Sequence, residues 1–161
     1  MTNKTNAKAR EQPMNAENDL IKLYSARILA LAADIPHHGR LTAPMATAKR
    51  RSPLCGSTVT VDIDVVDGRV VDFGQDVKAC ALGQAAASVV GSAAIGRTLT
   101  EVEKARDELA AMLKAGGAVP SASFAGLEVL LPARDYKNRH ASIMLPLEAL
   151  AEAFQKAMNR D

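Results

Sequence analysis

Between Thr58 and Val77 the chain alternates in a pattern that a β-hairpin satisfies and a helix does not. Val59, Val61, Ile63 and Val65 point to one side of an extended strand while Thr58, Thr60, Asp62 and Asp64 point to the other, so one face is expected to pack and the other to be wet. Asp67-Gly68 supplies the positive φ angles of a tight turn, and the chain returns with Val71, Phe73 and Val77 on one side. The chain's two cysteines flank this hairpin, Cys55 in Pro53-Leu54-Cys55-Gly56-Ser57 before it and Cys80 after it. Closing the hairpin therefore brings two distant thiols toward one end of a sheet.

Helical patterns surround the hairpin. Leu20, Leu23, Tyr24, Ile28 and Leu31 share a face in a first helix starting near Asn18 and closed by Ile35-Pro36. Pro36 to Arg40 reads as a turn, and Thr42 to Ser52 as extended chain ending in Lys49-Arg50-Arg51. After Lys78 the composition shifts to Ala, Leu, Gly, Gln and Ser, a small-residue helix from Cys80 to Ala94 stopped by Gly96. Another helix begins at Thr98, with Thr100 a candidate cap, and ends at Gly116-Gly117. A loop, a short apolar turn over Leu127 to Leu131 and a charged link, Pro132 to His140, lead to a last helix. That helix is expected from near Ser142 to Met158, with Pro146 tolerated in its first turn.

At 161 residues and 48% hydrophobic, the chain suits one domain, expected over 17–158, behind a polar, flexible tail over 1–16. Tryptophan is absent and aromatics make up 3%, which leaves no stacking platform for single-stranded nucleic acid. A formal charge of +2 argues against a general polyanion surface. With no membrane-length apolar run and no signal-like N-terminus, the expected compartment is a reducing cytoplasm in which both thiols stay free. No nucleotide loop, Ser-His-Asp set or paired carboxylates stand out, which speaks against a conventional hydrolase.

Chemistry therefore centres on the thiols. Cys80 opens a helix, where unpaired amides and the dipole favour thiolate, but it also suits a small buried apolar position, and position alone leaves both readings open. Cys55 precedes a glycine that lets backbone approach a bound atom, which favours a functional role. Two thiolates make half of a tetrahedral metal or cluster site, and His140 is the candidate further ligand. His37 and His38 read as a solvated turn, and the Lys49-Arg50-Arg51 triplet either docks an acidic partner or is only solvated.

The ordered strings resemble the U-type iron–sulfur cluster assembly scaffolds, the IscU, SufU and NifU N-terminal family, from Leu20 to Phe154. The resemblance rests on Ile35-Pro36-His37-His38-Gly39, Cys55-Gly56 before a hairpin, Cys80 opening a small-residue helix, Pro132-Ala133-Arg134, and Ser142-Ile143-Met144-Leu145-Pro146-Leu147-Glu148-Ala149-Leu150. It implies an α+β fold, a small antiparallel sheet of about three strands with helices packed on it. It also implies a binding protein, not an enzyme. Such a protein takes sulfur from a cysteine desulfurase, holds iron or a 2Fe-2S cluster, with zinc a further candidate, and passes the cluster to acceptor proteins.

Carried over residue by residue, the first two family cysteines fall on Cys55 and Cys80. The family aspartate falls on Ser57, and the third cysteine falls on Ser142 when the last helix is aligned through Leu145, Ala149 and Leu150. A shifted register would align His140 with a family histidine and leave Ala141 at the cysteine position. Two thiolates and two hydroxyls do not reproduce the charge and softness of the family set. His140, a second subunit in a homodimer, or a small thiol could complete the shell. Two other readings are a persulfide relay through Cys80 and Cys55, and a retained fold serving as a structural or regulatory partner of the machinery.

Overall fold

The structure, a computed structural model, describes residues 23–54 and 56–160; the expected tail over 1–16, the start of the first helix and Cys55 lie outside the described residues. The hairpin forms as its pattern dictates. β2 (Thr58–Val66) and β3 (Arg69–Lys78) pair antiparallel through Asp67 and Gly68, whose φ angles of 52° and 74° both lie in the left-handed region of the turn. β1 (Ala46–Arg51) pairs antiparallel on the other side of β2, giving the order β1-β2-β3. The open edge of β3 is met by the turn before β1: the Gln75 amide donates to the His37 carbonyl at 3.0 Å and the Gly39 amide to the Gln75 carbonyl at 2.7 Å.

Helix α1 (Ala26–Ala33) is shorter than its apolar spacing predicts. Ser25 caps it, accepting from the Ile28 amide at 3.3 Å, so a helical start falls inside the expected first helix. Helix α2 (Ala81–Ala93) has Cys80 at its N-cap, and α3 (Leu99–Lys114) is capped by Thr98 in a box with Glu101, not by Thr100. Glu101 receives the Thr98 amide and hydroxyl, and these hydrogen bonds hold its carboxyl below the ordinary value. The stretch expected as a loop and a short turn is a run of 3-10 turns, Ala122–Asp135, which packs Phe124, Leu127 and Leu130 into the core.

Helix α4 (Lys137–Met158) begins before Ser142, so Pro146 lies inside it and not in its first turn. It packs against β1, β2, α2 and α3. Leu147, Leu150 and Phe154 are fully buried there with Val59, Val61 and Ile63 of β2. No helix among the described residues is long and apolar enough to cross a membrane.

Two expectations about the sheet faces fail, for separate reasons. A bulge between Asp64 and Val65 shifts the register so that Val65 faces Val70, and Val70 is buried while Val71 is exposed. The second face of β2 is not wet at its middle, where Asp62 is fully buried and Thr60 nearly so. The segment before β1 folds over it: Arg40 grips the Asp62 carboxylate from Nε at 2.6 Å and Nη2 at 3.1 Å, the Leu41 amide donates at 3.0 Å, and the Thr47 hydroxyl donates as well. Gly74 makes that cover fit, since a Cβ there would lie 2.6 Å from the Gly39 carbonyl oxygen.

Candidate functional site

Thr58 and Lys78 are the paired ends of β2 and β3, so residue 57 and the start of α2 meet beyond that end of the sheet. The loop from Ser52 to Ser57 is closed by its own backbone, the Ser52 amide donating to the Ser57 carbonyl at 2.8 Å and the Gly56 amide to the Ser52 carbonyl at 3.0 Å. Gly56, at φ 69°, takes the left-handed conformation that this loop requires. Ser52 and Ser57 are buried beneath the loop while Leu54 is thrown out to 77% exposure. Cys55 lies outside the described residues, between Leu54 and Gly56.

Cys80 stands in extended conformation at the N-cap of α2, part-buried, and its side chain makes no cap hydrogen bond. Its Sγ lies 3.7 Å from the Ser142 hydroxyl of α4, which donates to the Ser57 hydroxyl at 3.1 Å. Three elements distant in sequence thus deliver one thiol and two hydroxyls to a single place. Two sulfur ligands on a tetrahedral metal, each at about 2.3 Å, are about 3.8 Å apart. The Cys80–Ser142 separation of 3.7 Å is close to that spacing and is also that of a thiol–hydroxyl hydrogen bond.

Two residues with no obvious chemistry set this geometry. Gly83, three positions after Cys80, lets α2 approach α4: a Cβ there would lie 2.5 Å from the Ser142 Oγ and 2.8 Å from the Ala79 Cβ. Pro146, four positions after Ser142, has no amide with which to bond the Ser142 carbonyl, so the site residue keeps a backbone acceptor that an ordinary helix would consume. Their spacing from Cys80 and Ser142 was the available sequence signal. Gly83→Ala is expected to lower stability by about 1–3 kcal/mol despite alanine's better helix propensity. A lower melting temperature is the expected reading, and an unchanged or raised one would contradict the close approach.

The structure does not bring His140 to this place. It precedes Ser142 by two positions, about 200° around the helix. It is 5% exposed, and its Nε2 lies 2.9 Å from the Ala133 carbonyl and 3.0 Å from that of Arg134. It lines a separate cleft with Lys114, Arg134 and Lys137. Among the described residues no three His, Cys, Asp or Glu side chains gather. His37 and His38 are exposed, and His37 meets Phe73 edge-on at 6.0 Å.

Residues 23–142 match the model of the NifU-like N-terminal domain family. The chain is similar to the crystal structure of a NifU-like protein (N-terminal) from Brucella abortus, at 43% identity and a TM-score of 0.86, covering 89% of this chain and 99% of that one. It shares its fold with a candidate iron–sulfur cluster assembly scaffold protein for the SUF system from Fervidobacterium islandicum, at 21% identity and a TM-score of 0.76, covering 83% and 98% of the two chains. No match was found among curated proteins.

Proposed function

The chain belongs to the NifU-like N-terminal domain family, and from that premise we propose that it is an iron–sulfur cluster scaffold that works as a carrier, holding iron or a 2Fe-2S cluster at Cys55 and Cys80 for delivery. The supporting observation is the convergence of Ser57, Cys80 and Ser142, since their hydroxyl–hydroxyl and thiol–hydroxyl contacts draw three of the family's four ligand positions together. The fourth is Cys55, whose neighbours Leu54 and Gly56 form the loop above Ser57.

The donor set decides how the cargo is held. Thiolates are soft, anionic ligands that suit iron in clusters, whereas neutral hydroxyls bind it poorly. A site with two thiols and two serines retains its cargo more loosely than a full family set and gives it up more readily. Sulfur comes from a cysteine desulfurase, and the protein binds and hands on without turning over a substrate. His140 is left out of the ligand set, because its Nε2 is held by backbone carbonyls on the far side of α4.

Anaerobic reconstitution with iron and sulfide tests this reading. Wild type is expected to retain both, and Cys55→Ala and Cys80→Ala to retain neither. Cys80→Ala should melt close to wild type, because removing a part-exposed thiol costs less than about 1 kcal/mol. Equal retention by all three proteins would overturn the site. Persulfide on Cys80 without bound iron would replace cluster carriage with sulfur relay.

A further inference from the structure

We propose that the exposed end of the sheet face beside the cysteine loop is a docking surface for an acidic protein partner with an apolar recess. The triplet Lys49-Arg50-Arg51 is divided by the pleat of β1. Arg50 turns toward α4, with Glu152 at 3.5 Å and Glu148 at 3.9 Å. Lys49 and Arg51 turn to the opposite face. Arg51 pairs with Thr58, which pairs in turn with Lys78, so one row across all three strands carries a cation at each end. Lys49, Thr60 and Asp76 form the next row.

Lys49, Arg51 and Lys78 are all exposed, and no ion pair among the described residues involves them. Several other cations do find carboxylates, among them Arg40 with Asp62 and Arg97 with Glu101. Toward the hairpin turn the same face changes sign, with Asp64 directly opposite Asp72. A face positive at the cysteine end and negative at the turn end fixes the orientation of whatever docks on it. Three cations beside those carboxylates are too few for a nucleic acid, which engages many phosphates.

Leu54 supplies the apolar anchor. It is 77% exposed because the hydrogen bonds closing the Ser52–Ser57 loop hold it outward, and it adjoins Cys55 and the cationic rows at the strand ends. An exposed leucine rimmed by unpaired cations is the arrangement of a docking knob, which seats in an apolar recess bordered by carboxylates. The probe is the cognate cysteine desulfurase, a choice that rests on the carrier reading.

Desulfurase affinity is measured for wild type, for the triple variant Lys49→Glu/Arg51→Glu/Lys78→Glu, and for Leu54→Ala, at low and high salt. Circular dichroism verifies that these surface variants fold. The triple variant should bind about tenfold or more weakly at low salt, with the difference shrinking at high salt as screening shortens the reach of the charges. Leu54→Ala should weaken binding by about tenfold at both salts. Chemical reconstitution with iron and sulfide, which needs no partner, should be unchanged in both variants. Wild-type affinity in the variants, affinity indifferent to salt, or no binding by wild type would overturn the docking surface. Loss of chemical reconstitution in wild type with docking intact would instead strike the carrier reading and leave the surface standing.

Discussion

Asp62→Ala is expected to cost about 3 kcal/mol of stability, because it strips several donors of one fully buried acceptor. Arg40, half exposed, can turn to water, but the Leu41 amide and the Thr47 hydroxyl lose their partner under the cover that the segment before β1 lays on the sheet. Burial alone pushes the Asp62 carboxyl up. The Arg40 hydrogen bonds, the Thr47 hydroxyl, the Leu41 amide and the Arg40 charge together outweigh that and hold it below its ordinary value. A carboxyl whose folded pKa lies below its unfolded one contributes stability that is complete above the unfolded value, about 3.9, and is lost as pH falls through the folded value. Denaturant unfolding at neutral pH and near pH 3 should therefore show a smaller gap between wild type and Asp62→Asn in acid. A gap that stays constant would contradict the ionised state of Asp62.

The hairpin was legible because its strands and turn are local: alternation and Asp67-Gly68 lie within one stretch of chain. The buried role of Asp62 was not, since Arg40 is 22 residues away and alternation by itself assigns an acidic side chain to water. Val71 was misplaced for a related reason. The bulge opposite Val65 leaves no mark in the hydrophobic pattern of either strand. Thr98 and Thr100 are equally good capping residues by type, and each has a glutamate three positions on, Glu101 and Glu103, so local sequence does not separate them. Pro146 suggested a late start for the last helix, but burial of α4 on four elements outweighs one lost amide.

At the site, the resemblance pointed to Ser57, Cys80 and Ser142, and the fold brings those three side chains together. The helix runs through both His140 and Ser142 and turns them to different sides, so Ser142 meets Cys80 while His140 lies against the Ala133 and Arg134 carbonyls.

Ser142→Cys is expected to convert the loose site into a firm one. The native hydroxyl already lies 3.7 Å from the Cys80 Sγ, the spacing of two thiolates on one metal, so a sulfur there adds a soft anionic ligand without moving the backbone. After anaerobic loading, iron should pass to a chelator on the order of tenfold more slowly than from wild type. The thiol is larger than the hydroxyl it replaces and faces Gly83, so a modest fall in melting temperature should accompany the gain. Equal or faster loss of iron would mean that Ser142 does not border the cargo.

Hand-over of the cargo is the most direct test of a carrier with two thiol ligands. Anaerobically loaded wild-type protein is mixed with an apo-ferredoxin in the presence of an iron chelator, and the growth of the ferredoxin's visible circular dichroism is followed. The expected result is a holo-ferredoxin signal that rises faster than the chelator gathers iron, with Cys80→Ala giving none. Iron appearing only in the chelator, or a cluster that stays on the protein while the ferredoxin remains apo, would contradict it.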